Sequence, residues 1–576
     1  MRQRKKSERR FTTIRNFKHY VSVLLSHGEK IAFRYFDTPA GKEIVDVTYR
    51  QLAERIKAEA AGFAALGLAG RRIALLGETS VSWVASYVAA VAGGSVAVPM
   101  DKELDFDEIL GFFEMAQVDA VVYSAAFEAK MRPVVGRHPT VRWFLPMTAP
   151  DAPAEGGDGP AADGSVVVPI PSVIERGAAD TAYDFPDTAD IDRMAEMLFT
   201  SGTTGTSKCV MLSERNVVAA MNSACGTVEF FPEDTIVSVL PIHHTYELCC
   251  MLAGLNYGMT VGINDSLKHV LRSLKAFRPT GLVLVPLFVE TFHKRIWDEA
   301  RKTKKDKKLR FGVKLSRFLR FFGIDVRRRL FGELFEAFGG RLERIVCGGA
   351  PLSREVMRDF DDFGITIMEG YGITECSPLI SVDPYFALKP GSVGPAVPSC
   401  TVRIDDAKEN DAGHAEGEIV VRGDNVMLGY YHNEEENQKA FTPDGWYRTG
   451  DIGYMDADGY IYITGRKKSV IVLESGKNVF PEEIEEYLAR IPGVGESVVV
   501  GRKNPEDGHI ILTAIVYPDP ETFPDTPQDE IYDRLRAEIT ALNKKLVAFK
   551  HIQALELRDE PFEKTTSRKI KRHLVH

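Results

Sequence analysis

Short apolar runs alternate with helical patterns along most of this sequence, and the alternation limits the folds that are open to it. The runs include RIALLG (72–77), SVAVPM (95–100), AVVYS (120–124) and GLVLVP (281–286). Such alternation is typical of βαβ units around buried, largely parallel sheets. We therefore predict an α/β fold for the greater part of the chain.

A charge-free stretch from Thr79 to Met100 is long enough to raise the question of a membrane span. Gly93, Gly94 and Pro99 interrupt it, so a buried helix, a turn and a strand explain it better. The basic start MRQRKKSERR is not followed by an apolar run, and it does not predict a secretory signal.

Composition narrows the class of protein. The chain has 576 residues, 44% hydrophobic and 27% charged, as expected of a soluble globular protein with several domains. The net charge of -9 argues against nucleic-acid binding, and the seven cysteines form no CxxC pair and no metal-ligand spacing. We expect a cytoplasmic protein; its oligomeric state is left open, a homodimer included.

Two boundaries are predicted from changes in pattern. Residues 147–165 are rich in Ala, Gly, Pro and Asp, as in a flexible, solvent-exposed insertion. After residue 466 the pattern becomes α+β, with strands ESVVVG and HIILTAIVYP and the helix EIYDRLRAEITALNKKL. We predict a large domain over 1–466 and a small one over 467–576.

The stretch LFTSGTTGTSKCVML (198–212) packs hydroxyls and glycines around Lys208. Glycine lets backbone N–H groups approach a ligand closely, and Thr and Ser add hydroxyl donors, so the loop suits the oxygens of a phosphate chain. The spacing between Gly202 and the lysine differs from the Walker arrangement, which excludes an ordinary P-loop.

Four further stretches have the residue types of a nucleotide site. They are CGGAPLS (347–353), MEGYGITECSP (368–378), GWYRTGDIGYMDADGYIYITGRKKSVI (445–471) and KTTSRKIKR (564–572). The third contains a predicted hairpin with its turn at Asp458-Gly459. The last supplies lysines near the C-terminus.

The order and sequence of these five stretches closely resemble the adenylate-forming superfamily of acyl-CoA synthetases, luciferases and peptide-synthetase adenylation domains. The resemblance extends from about residue 15 to residue 572. It implies a large N-terminal domain of βαβ layers with mostly parallel sheets plus a distorted barrel, and a small mobile C-terminal domain. It also implies an enzyme that uses ATP, Mg²⁺ and coenzyme A.

The resemblance assigns ATP-binding roles to residues of the five stretches. The phosphate loop would comprise Thr200, Ser201, Gly202, Thr203, Thr204, Gly205 and the catalytic Lys208. The adenine would lie between Gly349, Ala350 and Pro351 on one side and Tyr371, followed by Gly372, on the other. Thr374 would donate to the α-phosphate, Glu375 would hold Mg²⁺, and Asp451 with Arg466 would bind the ribose.

The small domain is implied to serve two half-reactions in turn. It would rotate about Lys468, placing Lys569 against the substrate carboxylate in one orientation and the loop around Gly476 against a thiol tunnel in the other. One departure from the family pattern lies here, because Arg568 replaces a glycine before the lysine.

The stretch PIHHTYE (241–247) allows four interpretations of its histidines, as zinc ligands, as a general base, as the wall of a substrate pocket or as structural side chains. No Cys or His partner has suitable local spacing, and the resemblance favours a pocket lined by His243, His244, Tyr246 and Gly348. Because this region has no aspartate for an ammonium group and many apolar side chains, the acid is not expected to be an amino acid.

The pocket stretch and GLVLVPLFVETF (281–292) look most like bacterial long-chain fatty-acyl-CoA synthetases. A medium- or long-chain fatty acid is therefore the expected substrate. Aryl-CoA ligases and acyl-[carrier protein] synthetases remain alternatives. A non-enzymatic acyl-adenylate-binding regulator is the alternative from another class, although Lys208, Glu375, Asp451 and Lys569 are all present.

Cations interleave with Phe, Leu and Val in the basic segment over 301–335. A solvated helical hairpin with one packed face explains this pattern. The alternative is a reversible contact with the inner membrane face, through which a fatty acid could be collected.

Overall fold

A computed structural model describes residues 11–38, 41–148, 164–187, 190–200, 207–410, 412–473, 477–504, 509–564 and 570–575. These residues form two compact units. The first includes the described residues up to Thr200, then Ser207–Val402 and Val421–Tyr447; the second includes Arg403–Val420 and the described residues from Arg448 onward. The domain boundary at residue 466 stays a prediction, as does the insertion, most of which lies outside these ranges.

The strands are β1 (Ile31–Phe36), β2 (Ile44–Thr48), β3 (Arg72–Leu76), β4 (Val96–Met100), β5 (Ala120–Tyr123), β6 (Trp143–Pro146), β7 (Val166–Val167), β8 (Met194–Thr200), β9 (Lys208–Ser213), β10 (Thr235–Ser238), β11 (Thr260–Ile263), β12 (Gly281–Leu284), β13 (Arg344–Gly348), β14 (Thr366–Gly372), β15 (Leu379–Val382), β16 (Cys400–Glu409), β17 (Ala415–Gly423), β18 (Gly429–Tyr430), β19 (Tyr447–Met455), β20 (Ile461–Arg466), β21 (Ile471–Val472), β22 (Asn478–Val479), β23 (Val494–Lys503), β24 (Ile510–Pro518) and β25 (Ile552–Leu557). The four apolar runs predicted to be strands are β3, β4, β5 and β12, which confirms them.

The α-helices are α1 (Phe17–Ser26), α2 (Tyr49–Ala65), α3 (Val81–Ala92), α4 (Phe106–Met115), α5 (Glu128–Met131), α6 (Ile170–Ala179), α7 (Glu214–Thr227), α8 (Thr245–Tyr257), α9 (Val270–Phe277), α10 (Pro286–Lys302), α11 (Asp306–Phe321), α12 (Arg327–Leu330), α13 (Gly332–Ala337), α14 (Arg354–Phe363), α15 (Glu434–Ala440), α16 (Pro481–Leu488) and α17 (Gln528–Asn543). Short 3₁₀ helices are Ala125–Phe127, Arg132–Val134, Leu267–His269, Thr374–Cys376, Ala548–Lys550 and Arg572–Leu574.

The first unit contains two eight-stranded sheets. One has the order β18-β9-β8-β4-β3-β5-β6-β7, parallel from β8 to β7 and antiparallel where β8 meets β9 and β9 meets β18. The other has the order β15-β14-β13-β12-β10-β11-β1-β2, with antiparallel pairs only at its two edges. The mostly parallel α/β layers are therefore confirmed.

The charge-free stretch is the buried helix α3, a turn and the buried strand β4, as predicted. The Ser80 side chain caps the helix by accepting from the backbone N of Trp83, and Gly94 ends the turn with a φ of +88°. Of the helices in the described ranges, none combines the length and apolar character needed to span a bilayer.

The second unit contains a four-stranded sheet in the order β16-β17-β19-β20. The β19–β20 hairpin turns at residues 456–460 as predicted, and Gly459 has a φ of +83°. The C-terminal α+β pattern is also confirmed, since β23, β24 and β25 form a sheet against which Leu535 and Ile539 of α17 pack.

Candidate active site

Three groups of predicted site residues in the first unit lie after the carboxyl ends of neighbouring parallel strands. Strands β10, β12, β13 and β14 are adjacent and parallel, so the segments after them emerge at one edge of the sheet. The histidine stretch comes after β10, Gly349 to Pro351 after β13, and Thr374 and Glu375 after β14. Ligands of open α/β sheets bind at this edge.

Gly348 and Tyr246, both predicted to line the substrate pocket, are in contact. A Cβ atom added to Gly348 would lie 3.4 Å from Cζ of Tyr246 and 3.1 Å from the carbonyl oxygen of Gly370. The Tyr246 hydroxyl donates to the carbonyl oxygens of Leu284 at 3.3 Å and Val346 at 3.1 Å. The ring therefore lies across β12 and β13, and a Cβ atom at position 348 would be in van der Waals contact with it.

The loop after β13 is tied to β14, the strand that contains Tyr371. Glu369 of β14 accepts a hydrogen bond from the backbone N of Leu352 at 3.2 Å. Gly349 has a φ of +91°, a conformation that favours glycine, and it is exposed together with Ala350 and Pro351. The loop thus presents backbone at the sheet edge, while Tyr371 itself is buried.

His243 and His244 precede α8, and their ring centroids lie 4.2 Å apart. His243 is buried with its Nε2 atom 3.5 Å from Oδ2 of Asp101, the residue directly after β4. Sequence reasoning found no aspartate near this pocket because it considered only the local stretch. Among the described residues, no group of three or more His, Cys, Asp or Glu side chains could hold a metal ion.

Glu375 is held by a tyrosine from a distant part of the chain. The Tyr430 hydroxyl donates to Oε1 of Glu375 at 2.8 Å and lies 3.5 Å from the Tyr447 hydroxyl. Burial and the Glu375 charge raise the pKa of Tyr430, so the phenol keeps its proton and acts as the donor. Thr374 begins the 3₁₀ helix in which Glu375 lies.

Glu375 fits the chemistry of a magnesium ligand. Mg²⁺ prefers oxygen ligands and is commonly held by one or two carboxylates together with substrate phosphates. Glu375 is a partly exposed carboxylate oriented by the Tyr430 phenol, which suits such a site. The described residues around it form no cluster of several acidic side chains.

Lys208 lies directly across from Thr200, because the two residues are partners in the antiparallel register of β8 and β9. The Lys208 ammonium forms an ion pair with Glu436 and lies 4.8 Å from the ring centroid of Tyr430. The hydrogen bond from Lys208 lowers the pKa of Glu436, whose carboxylate therefore remains charged. The predicted residues Ser201, Gly202, Thr203, Thr204 and Gly205 lie outside the described residues.

The second unit brings Asp451 and Arg466 together. They are cross-strand partners in the β19–β20 register, and Nε of Arg466 lies 3.1 Å from Oδ1 of Asp451. The Asp451 side chain is 5% exposed and that of Arg466 is 52% exposed. The pair thus has a buried acceptor and a solvated cation.

The remaining predictions concern the C-terminal segment. Lys468 is exposed in the turn after β20, where a backbone rotation would reorient the segment that begins with β21. Gly476 and Lys569 lie outside the described residues, together with the replaced glycine position, Arg568. The hinge, the thiol tunnel and the catalytic lysine stay predictions.

Sequence reasoning missed Tyr430 and Glu436, which contact the predicted residues Glu375 and Lys208. Both lie in the stretch GYYHNEEENQKAF (429–441), which pairs two tyrosines with three consecutive glutamates. That composition is a weak signal, because an acidic helix start has the same one.

Two comparisons with protein families cover most of the chain. Residues 24–431 match the family described as AMP-binding enzyme. Residues 468–576 match the AMP-binding enzyme C-terminal domain.

Individual proteins extend this similarity. A long-chain-fatty-acid–CoA ligase of Mycobacterium bovis is 30% identical over 505 residues, which cover 83% of this chain and 78% of that protein. A chloroplastic long-chain-fatty-acid–[acyl-carrier-protein] ligase of Arabidopsis thaliana is 26% identical and covers 88% of this chain and 78% of its own length. The crystal structure of ATP-bound MatB from Rhodopseudomonas palustris has a TM-score of 0.72 at 25% identity and covers 97% of this chain and 98% of its own.

Proposed function

This chain belongs to the AMP-binding enzyme family and is an AMP-forming acid–CoA ligase, and from that premise we propose that its acid substrate is a medium- or long-chain fatty acid. The observation that supports this choice is the similarity to the long-chain-fatty-acid–CoA ligase over 83% of the chain.

The ligase reaction uses ATP, Mg²⁺ and coenzyme A in two steps. A carboxylate oxygen attacks the α-phosphorus of ATP, and the bond to pyrophosphate breaks. The thiolate sulfur of coenzyme A then attacks the acyl carbon, and AMP leaves. A free carboxylate is a poor acylating agent because its leaving group is oxide, and adenylation supplies a better one.

Two anions approach each other in the first step, so the site must offset negative charge. Lys208 and the phosphate loop serve the β- and γ-phosphates, while Thr374 donates to the α-phosphate. The Glu375 carboxylate, oriented by Tyr430, is available to hold Mg²⁺. Bound there, the ion would neutralise phosphate charge.

The nucleoside is assigned to two separate groups of residues. The exposed backbone of Gly349, Ala350 and Pro351 serves one face of the adenine and Tyr371 the other. Asp451 accepts from the ribose hydroxyls while Arg466 holds one carboxylate oxygen. This sharing is possible because a carboxylate has about four acceptor positions.

The small domain is proposed to alternate between the half-reactions by rotation at Lys468. Replacing Lys569 with Ala should slow adenylate formation on the order of 10²- to 10³-fold, the scale of one lost transition-state contact. Thioester formation from supplied acyl-adenylate should stay near normal in that variant. Lys468→Pro should show the reverse bias, because a fixed φ hinders rotation.

A pyrophosphate-release panel tests the substrate. Fatty acids of increasing length, cinnamates and amino acids are compared with and without coenzyme A or acyl carrier protein. We expect turnover with fatty acids and coenzyme A. A preference for cinnamates, for amino acids that could use Asp101, or for carrier protein would overturn the proposed substrate or acceptor.

A contact with the inner membrane face is proposed for the basic segment. Phe311, Phe318, Phe321, Phe322 and Ile324, here called the Phe surface, are 66%, 62%, 85%, 60% and 50% exposed. The spacing of 311, 318 and 322 places three of the rings on one side of α11, whereas Gly312, Val313 and Ser316 are buried on the other side.

Charge suits this apolar surface to an anionic bilayer. Lys307, Lys308 and Lys314 are exposed on α11, and helical spacing places them beside the ring side. Arg317 and Arg320 form ion pairs with Asp362 and Asp361 of α14, which hold the opposite side against the unit. Aromatic rings flanked by lysines are typical of reversible interfacial helices.

Cosedimentation with phosphatidylglycerol vesicles tests the membrane contact at low and high salt. Phe321→Ser combined with Phe322→Ser should reduce binding by about 10-fold or more, because each Phe side chain contributes about 1.5–3 kcal/mol when it is fully buried. The matched control is Phe386→Ser, which changes a 71% exposed ring elsewhere. Equal binding by both variants, or no binding at low salt, would remove the Phe surface from the proposal.

A further inference from the structure

Glu436 is bound by two lysines at once. Its Oε2 atom pairs with Lys208, 228 residues away in sequence, while its Oε1 atom lies 3.2 Å from Nζ of Lys439. The side chains of Lys208 and Glu436 are 13% and 23% exposed, so their pair is largely withdrawn from water.

The backbone around Glu436 is held in place independently of these ion pairs. Glu436 lies in the first turn of α15, and its backbone N donates to the side chain of Asn433 at 3.2 Å. The Asn437 side chain accepts from the backbone N of Tyr430 at 2.7 Å and so joins α15 to β18. The carboxylate is therefore presented to Lys208 by a braced helix start.

We propose that Glu436 holds the Lys208 ammonium when no phosphate is bound and competes with the phosphate chain for its charge. This inference rests on the phosphate-binding role proposed for Lys208. The lysine has a flexible stem with three donors, so its ammonium can turn from the carboxylate to a phosphate oxygen.

Lys439 makes this exchange feasible. A carboxylate that loses its only cation in a poorly solvated place would be strongly destabilised. Glu436 keeps the Lys439 ammonium when Lys208 turns away, because that lysine contacts its other oxygen. After the reaction the carboxylate recaptures Lys208, which favours release of pyrophosphate.

The test is Glu436→Gln, which preserves size and removes the competing charge. The KM for ATP and the inhibition constant for pyrophosphate should both fall, roughly 3- to 10-fold. Calorimetric titration with magnesium pyrophosphate should show the same gain in affinity. The control is Glu434→Gln in the same turn, whose side chain is exposed.

Unchanged or weaker binding of ATP and pyrophosphate in Glu436→Gln would overturn the competition. The gain should also disappear when Lys208 is already Ala, and a persistent gain would show that Glu436 acts without Lys208. If the Gln variant does not fold, Lys439→Ala replaces it and should raise the KM for ATP, since Glu436 then retains Lys208 more firmly. Calorimetry measures pyrophosphate binding and needs no turnover. The role of Glu436 can therefore be disproved while the fatty-acid substrate is confirmed, and the fatty-acid substrate can be disproved while the role of Glu436 is confirmed.

Discussion

Charged side chains are brought together differently in the cluster of Lys208, Glu436, Glu375 and Tyr430 and in the Asp451–Arg466 pair. In the cluster, Lys208 meets Glu436 across 228 residues of sequence, and Glu375 meets Tyr430 across 55. Asp451 and Arg466 face each other in one hairpin, where the register of β19 and β20 pairs them. The first arrangement depends on the tertiary fold and the second on a local turn.

Exposure also separates the two regions. The Lys208 side chain is 13% exposed, whereas that of Arg466 is 52% exposed. Coulombic interactions strengthen as water is withdrawn, so changes of charge in the cluster should have the larger effects. Variants of the two regions test this ordering.

The largest effect is expected for Glu375→Gln. Loss of the carboxylate proposed to hold Mg²⁺ should slow pyrophosphate release at limiting Mg²⁺ on the order of 10²- to 10³-fold. Circular dichroism should show a retained fold, because Gln can still accept from Tyr430. Normal activity at limiting Mg²⁺ would remove Glu375 from the site.

Asp451→Asn should have the next largest effect. Because the amide accepts less strongly than a carboxylate, we expect the KM for ATP to rise on the order of 10-fold. The loss should be smaller with 2′-deoxy-ATP, which lacks one of the ribose hydroxyls. An equal loss with both nucleotides would mean that Asp451 supports the hairpin rather than the ribose.

Tyr430→Phe removes one hydroxyl from the cluster and leaves every charge in place. The Mg²⁺ concentration for half-maximal activity should rise roughly 3- to 10-fold, the scale of one hydrogen bond to a charged group. The companion variant Tyr447→Phe, which loses only the longer contact at 3.5 Å, should change it less. The opposite order would assign the orientation of Glu375 to Tyr447.

The smallest effect is expected at Glu247, a buried carboxyl beside the predicted pocket, and it concerns how stability depends on pH. Burial raises the pKa of Glu247 from 4.5 to about 8, although a hydrogen bond from Ser238 opposes the shift. The folded protein therefore holds this proton near neutral pH and the unfolded chain releases it. The contribution of this carboxyl to the free energy of unfolding is complete below pH 4.5 and is lost progressively as the pH rises to about 8.

Glu247→Gln should reduce the loss of stability with rising pH, because Gln is neutral at every pH. Between about pH 5 and 8 the fall in Tm should shrink by about 2–4 °C. Glu355→Gln, on the exposed side of α14, should leave the dependence of Tm on pH unchanged. An unchanged slope in Glu247→Gln would mean that this carboxyl is ionised in the folded protein.

Much of the fold could be predicted because its signals are local. The apolar runs became β3, β4, β5 and β12, and the Asp458-Gly459 signal became the β19–β20 hairpin. The resemblance implied that Arg466 lies near Asp451, and the hairpin pairs them because a short turn leaves few registers for the two strands. Hydrophobic periodicity and turn residues act over a few neighbouring positions, so a single sequence is enough to recognise them.

By itself, the sequence determined the layered α/β elements, the motifs and their order, and hence the class of reaction. Only the tertiary structure decided that Tyr430 holds Glu375, that Glu436 binds Lys208 and that Asp101 lies beside His243. The Lys208 contact follows from the pairing of β18 with β9 at one sheet edge, whereas the other two contacts join segments that belong to different sheets. Strand order is a property of the whole packed fold, and residues far apart in the chain bear no local signal of meeting.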